Sequence, residues 1–342
     1  MIIDINKTIL IFFISILIYF VKKKIFSKHI NLEKHQSFST NILGNPIGGY
    51  VIFISIIFFS FFSNFLELFF LFCIFILGIL SDTKFFNSPK YRLLIQILII
   101  SLYIILSNLQ ILSTRVDFFD ELLKNNFINL IFTAFCILIV INGTNFIDGL
   151  NGLAIGYYSL VTTILLSSDL SIFFYFDTQI LYNFLLIFLL LILANYFNLI
   201  YLGDSGSYLL GFLFSILLIK IYGLNPIISP YFIILLLWYP CFENLFSIIR
   251  KKRLNSSATE PDNNHLHQLI FIYFLKKFKF KSKQLANNLS SIVINSFHIL
   301  IFLFATQYYN SSIIQITLIF LNISIYILLY FILLSFKSRL KN

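Results

Sequence analysis

The sequence predicts an all-α, polytopic membrane protein with eleven transmembrane helices, its N-terminus outside and its C-terminus in the cytoplasm. Three observations carry that expectation. Of the 342 residues, 59% are hydrophobic and 11% charged, where soluble domains carry about 25% charged residues. The apolar residues gather in eleven runs close to the length a bilayer requires. The basic residues divide unequally between the loops that separate those runs.

The first run, 2–21, is followed by Lys22, Lys23 and Lys24 and shows no small-residue cleavage pattern, so it reads as a retained span. The second, 47–62, opens on GNPIGG, where Gly and Pro allow a tight bend. Runs three to six are 65–80, 93–107, 127–142 and 152–167. Runs seven and eight, 179–200 and 208–222, flank the stretch YLGDSGS. The ninth, 227–247, precedes a long basic loop, and 289–307 and 313–335 close the chain. No repeat with a period of 20 to 50 residues is present, and residues 1–342 read as a single integral-membrane domain. With the N-terminus outside, the segments facing the cytoplasm are 22–46, 81–92, 143–151, 201–207, 248–288 and the tail after 335. They hold 20 of the 24 Lys and Arg residues. The net charge of +10 therefore follows from membrane orientation and not from nucleic-acid binding. Cys73, Cys136 and Cys241 stand alone in or beside apolar runs, which points to core packing.

Four stretches on the cytoplasmic side carry chemistry. In YLGDSGSYLLG, Asp204 sits among Gly203, Ser205, Gly206 and Ser207 between two spans. A carboxylate at the mouth of a span is costly, and small neighbours let an anion reach backbone amides. The stretch reads as the floor of a phosphate and divalent-metal site, against the plainer reading of a turn. In GILSDTKFFNSPKYR, Asp82 ends an apolar helix, with Lys84, Lys90 and Arg92 behind it. That basic cluster suits an anionic lipid headgroup, although Lys90 reads as a plain membrane anchor. In NGTNFIDGLNGLA, Asn142, Asn145, Asp148 and Asn151 recur every three residues, along one inclined helical face. Gly143, Gly149 and Gly152 are expected to interrupt that helix. These amides and the carboxylate suit a nucleobase, a ribose or sugar hydroxyls; interhelical polar contacts are the plainer alternative. In the basic loop, His265 and His267 would share a face in extended chain and contact phosphate or transfer protons. His29, His35 and His298 read as structural, and Asp117, Asp120, Glu121, Asp169 and Asp177 as solvated outer charges. Carboxylates, histidines and basic groups at one membrane face point to Mg²⁺-dependent chemistry on a phosphorylated lipid, with Mn²⁺ as the alternative ion. A transporter would place its ionisable groups at the midplane instead.

These motifs resemble the polyprenyl-phosphate N-acetylhexosamine-1-phosphate transferases, the superfamily that includes the phospho-MurNAc-pentapeptide translocase. The resemblance spans about residues 44–270 and rests on NPIGG, ILSDTKFFNSPKYRLLIQ, NGTNFIDGLNGLA, YLGDSGS and PDNNHLHQL. It implies transfer of a sugar 1-phosphate from a UDP-N-acetylhexosamine to undecaprenyl phosphate, with release of UMP, at the cytoplasmic face of a bacterial inner membrane. The product would start a cell-envelope glycan such as a wall polymer or lipopolysaccharide. It further implies Asp204 as the Mg²⁺ ligand and Asp82 beside the metal and the lipid phosphate. Asp148, Asn145 and Asn151 would line the nucleotide-sugar pocket, with Tyr201 near the uracil, Asn195 and Arg92 among the substrate contacts, and His265 and His267 on phosphates or sugar. The chain departs from the family pattern in two places. It carries Ser81-Asp82 where two adjacent aspartates are usual, and His265-Leu266-His267 where the translocase has three adjacent histidines. The resemblance is therefore to the GlcNAc-1-phosphate and O-antigen branch. The translocase and a catalytically inactive homologue remain the alternatives, and a homodimer is allowed.

The charge asymmetry predicts that the loop 248–288 faces the cytoplasm. A Ser256→Cys variant should resist an impermeant thiol reagent in intact cells and react after the cells are opened. Labelling in intact cells would overturn the orientation.

Overall fold

A computed structural model describes residues 5–25, 45–59, 64–86, 88–167, 178–253, 264–278 and 282–340. His29, His35, Asp169, Asp177 and the loop position 256 lie outside these residues, as do the first residue of GNPIGG and the first three of PDNNHLHQL. The described residues form helices, with one isolated parallel bridge between Asn45 and Ile200.

The helices are α1 (Ile5–Ile25), α2 (Gly48–Phe58), α3 (Phe65–Asp82), α4 (Pro89–Ser107), α5 (Asp117–Leu123), α6 (Asn126–Ile147) and α7 (Leu153–Leu165). They continue with α8 (Thr178–Tyr196), α9 (Gly203–Leu224), α10 (Pro230–Leu236), α11 (Trp238–Arg253), α12 (Leu266–Lys277), α13 (Lys283–Thr306) and α14 (Ser312–Arg339). Every apolar run of the sequence coincides with a helix. Among the described residues seven helices are long and apolar enough to cross a bilayer, and the bent pair α10–α11 is an eighth where it counts as one span. The apolar stretches of α1, α2 and α7 are shorter.

Local sequence explains the boundaries. Asn64, Asn125, Ser229 and Ser282 cap the starts of α3, α6, α10 and α13 with their side chains. Pro89 opens α4, and Asn108 closes it with φ 52°. The ninth run is bent by 74° between α10 and α11. Pro240 is the cause: it has no N–H for the carbonyl of Leu236, and its ring excludes a straight helix there. The Tyr157 hydroxyl takes over, donating to the Leu236 carbonyl at 2.9 Å.

Of the seven long apolar helices the most enclosed is α9, which packs against α2, α3 and α6. Glycine allows the approach. A Cβ on Gly49 would lie 2.6 Å from the N–H nitrogen of Gly206, and one on Gly78 would lie 2.8 Å from the Asp204 carbonyl oxygen. Gly143 does not interrupt α6 as expected; it sits inside that helix, where the Pro240 backbone of α11 presses against it. Only Gly149 and Gly152 fall in the turn that follows, and Gly152 takes φ 70°.

The two ends of the bundle differ in chemistry. At one end lie the C-termini of α3, α6, α8, α11 and α14 and the N-termini of α4, α7, α9, α12 and α13. At the other, Arg115 donates to the carbonyls of Pro226, Ile227, Ile228 and Asn310 and to the Ser312 hydroxyl. Asp120 is not simply solvated: it accepts from the Thr114 N–H and the hydroxyls of Ser113 and Thr114, which fold its loop. Burial pushes its carboxyl up, but the hydrogen bonds from Ser113, Thr114 and the Arg115 backbone together hold it below the usual range. Asp117 is exposed, and Glu121 forms an exposed pair with Lys124. Lys220 pairs with Glu67 at the same end. His298 is enclosed by Tyr157, Trp238 and Tyr239, which agrees with a structural role. The three cysteines are unpaired.

Gly49→Val should lower the thermal midpoint in detergent, since overpacking of this kind costs about 1–3 kcal/mol. Gly223→Ala, whose added Cβ meets nothing within 4 Å, should leave it unchanged. Equal midpoints for both variants would contradict the close approach of α2 to α9.

Candidate functional site

The site forms where α9 begins. Its first residue, Gly203, has φ 73°, and a Cβ there would sit 3.0 Å from a carboxylate oxygen of Asp82. Only glycine meets both conditions. Asp82, the last residue of α3, accepts from the N–H groups of Asp204 at 2.8 Å and Ser205 at 3.1 Å. It therefore caps α9 from outside the helix, where a negative charge also opposes the positive end of the dipole.

Asp204 is held by three neighbours. Its Oδ1 accepts from the Asn145 amide at 2.7 Å, and the same amide nitrogen donates to Ser207 Oγ at 3.0 Å. Its Oδ2 accepts from Arg92 at 3.0 Å and from the Ser81 hydroxyl, which in turn accepts from Arg92. Asp204 remains 27% exposed and Arg92 24%, so the pair faces an opening. Asp148, just past the end of α6, lies beside the Gly203 N–H and the carboxylates of Asp204 and Asp82. Burial pushes the Asp148 carboxyl well above its usual range, and the charges of Asp204 and Asp82 push it further.

Among the described residues, no three His, Cys, Asp or Glu side chains are grouped closely enough to enclose a metal ion. Mg²⁺ does not need such a cage. It takes one or two protein carboxylates and fills its other positions with water and substrate phosphates. A part-exposed carboxylate with two more carboxylates nearby, balanced only by Arg92 and hydrogen bonds, fits that requirement.

The histidines lie on the other flank of the α6 terminus. They are not in extended chain: His265 is the residue before α12, and its N–H bonds to the Gln268 side chain. The two rings still converge, stacked at 5.6 Å and 15°. His265 packs on Phe146 at 5.2 Å, and His267 Nε2 would lie 2.7 Å from a Cβ on Gly149.

The four residues expected along one helical face separate. Asn142 bonds Gln96 between α4 and α6, Asn145 holds Asp204, and Asp148 reaches Gly203. Asn151 lies beyond the helix end and bonds Asn198 and Asn288, while its N–H bonds Asn287. Asn195 uses both ends of its amide on backbone, accepting from Gly152 N–H and donating to the Ile200 carbonyl. The backbone of Tyr201 joins Asn45 and Gly48 at the start of α2. Lys84 has φ 58°, and Lys90 is exposed. The structure thus gathers Asp82, Asp148, Asp204, Asn145 and Arg92 into one cluster and His265 and His267 beside it. Asn151 and Asn195 fall in a separate asparagine network joining the start of α7 to α8 and α13.

Residues 64–222 match the family model for glycosyl transferase family 4. The chain is 29% identical over 210 residues to a probable undecaprenyl-phosphate N-acetylglucosaminyl 1-phosphate transferase of Bacillus subtilis (strain 168), covering 58% of this chain and 56% of that protein. It is also 29% identical over 150 residues to a decaprenyl-phosphate N-acetylglucosaminephosphotransferase of Mycobacterium tuberculosis, covering 37% of each. The matches therefore span about half, or less, of these relatives' length. The resemblance to polyprenyl-phosphate hexosamine-1-phosphate transferases is borne out at the level of the family.

The sequence reading missed the contacts that Ser81 and Ser207 make in the cluster, and it missed Glu243, which lies against His265, altogether. A lone acidic residue in the apolar stretch WYPCFENLF was the available signal for Glu243. Asn195→Ala should strip partners from two buried backbone groups, at about 1–3 kcal/mol each. A clear fall in thermal midpoint is expected, measured in detergent without substrate; an unchanged midpoint would return Asn195 to the substrate contacts.

Proposed function

We propose that this chain transfers N-acetylglucosamine 1-phosphate from its UDP conjugate to a polyprenyl phosphate at the cytoplasmic face of a bacterial membrane, releasing UMP. The observation that carries the reading is the cluster of Asp82, Asp148, Asp204, Asn145 and Arg92 at the buried start of α9. Relatives named for this activity favour it over the phospho-MurNAc-pentapeptide translocase. Undecaprenyl phosphate is the lipid named for the Bacillus relative.

In this reaction an oxygen of the lipid phosphate bonds to the phosphorus bearing the sugar. The bond from that phosphorus to the bridging oxygen breaks, and the electron pair leaves with UMP. The chief obstacle is bringing anions together. Asp204, supported by Asp82 and Asp148, would hold Mg²⁺, which neutralises the diphosphate and the leaving group. Arg92 presents a planar set of donors suited to a phosphate at the same opening. Asn145 fixes the Asp204 carboxylate from the other side. The lipid phosphate needs little deprotonation, since the second pKa of a phosphate monoester is about 6. A base at residue 81 is then unnecessary, and Ser81 can serve as the link between Arg92 and Asp204.

An inactive homologue is the reading that Ser81 would otherwise favour, and one set of assays separates the two. Purified protein is given polyprenyl phosphate and a panel of UDP-sugars, and the lipid product is resolved by chromatography. Wild type should be active, Ser81→Ala should keep most of that activity, and Asp82→Ala and Asp204→Asn should lose nearly all at limiting Mg²⁺. Activity only after Ser81→Asp would sink the proposal.

A further inference from the structure

Glu243 takes no part in the cluster at α9, and it lies outside the residues 64–222 that match the family. The bend at Pro240 brings it, one turn into α11, beneath the start of α12. Its Oε1 lies 2.8 Å from Nδ1 of His265, and its Oε2 accepts from the Tyr326 hydroxyl of α14 at 2.8 Å. Glu243 is 0% exposed, Tyr326 1% and His265 6%. Both carboxylate oxygens thus have donors, as a buried carboxylate requires.

A carboxylate can only accept, so the proton in the pair with His265 sits on Nδ1. Nε2 is then the ring nitrogen that does not face Glu243. The ring has little freedom to turn, packed against Phe146 at 5.2 Å and His267 at 5.6 Å. Phe146 is the residue after Asn145, which holds Asp204. The buried support and the charge cluster therefore meet at one turn of α6.

We propose that Glu243 and Tyr326 are positioning residues that fix the tautomer and orientation of His265, so that its Nε2 meets the diphosphate of the sugar nucleotide. In the protonated ring, Nε2–H donates to a diphosphate oxygen and the proton stays on the ring. The Glu243 carboxylate balances the imidazolium charge, and Tyr326 keeps that carboxylate from turning away. The inference rests on the transferase reading above.

The test uses the full chain in lipid nanodiscs, with Glu243→Gln, Tyr326→Phe, His265→Ala and the double variant Glu243→Gln/His265→Ala. An amide offers N–H₂ where the carboxylate offers an acceptor, so Gln cannot serve both donors. Glu243→Gln should lower kcat about 10- to 100-fold, the usual cost of losing a residue that orients a functional histidine, with KM for the lipid phosphate unchanged. Tyr326→Phe should lower kcat by about tenfold or less. The double variant should lose no more than the worse single variant, because both act through one ring. Spectra of protein labelled with ¹⁵N-histidine, assigned by the His265→Ala variant, should show a protonated Nδ1 in wild type and its loss in Glu243→Gln. Additive losses, or a His265 resonance that does not respond to Glu243→Gln, would overturn the proposal. Tyr326→Phe removes one hydroxyl and keeps the ring, so it reads the same support if Glu243→Gln does not fold. A wild-type chain that makes no lipid-linked sugar overturns the transferase reading as well; an active wild type with additive losses overturns only this one.

Discussion

The site depends on one contact, the Asp82 carboxylate on the N–H groups of Asp204 and Ser205. A helix that starts at a membrane face brings unsatisfied donors to a place where water is scarce, and something must satisfy them. Asp82 does so from the end of α3, which ties two spans together at their polar ends. The contact requires Gly203, because the backbone there is left-handed and the carboxylate leaves no room for a side chain. It also requires α3 and α2 to lie unusually close to α9, which Gly78 and Gly49 allow. Removing any of these small residues would displace Asp204, though none of them is a ligand.

Charge balance follows from that geometry. Three carboxylates lie near the start of α9, and the paired cation is Arg92. A fourth carboxylate at residue 81 would add repulsion at the point where Arg92 meets Asp204. The Ser81 hydroxyl does the opposite, accepting from one and donating to the other. Serine is thus compatible with an intact site, and its presence is not in itself a sign of decay. The arrangement also leaves Asp204 held before any substrate arrives. A cation or a phosphate entering the opening exchanges one set of partners for another, which costs less than desolvating a bare carboxylate.

Most of the architecture was legible because lipid imposes it. Long apolar runs must be helices, and each run of the sequence has one. The charge cluster was legible for a related reason: Asp82, Asp148 and Asp204 are acids at the mouths of spans, beside glycine and serine. What escaped depends on tertiary structure. Regular spacing placed Asn142, Asn145, Asp148 and Asn151 on one face, but α6 ends at Ile147, so Asn151 turns toward α13 instead. The histidines were expected in extended chain and instead begin a helix. Their convergence survived, since residues N-terminal to and inside a first helical turn can stack as they do in extended chain. Glu243 and His265 are 22 positions apart, on α11 and just before α12, and no local pattern announces that pair.

The two halves of the site are built by different means, and the difference bears on how each can vary. The carboxylate cluster hangs on backbone groups at helix ends, so its position is set by α2, α3 and α9 as rigid bodies. The histidine support hangs on side chains, with Glu243 of α11 meeting His265 and Tyr326 of α14 holding Glu243. Backbone-held groups keep their place when neighbouring side chains change, whereas a chain of side-chain contacts moves if any one link is altered. The halves touch through Phe146, which packs against His265 one residue after Asn145. A change on the histidine side would therefore meet the support of the Asp204 carboxylate at a single turn of α6.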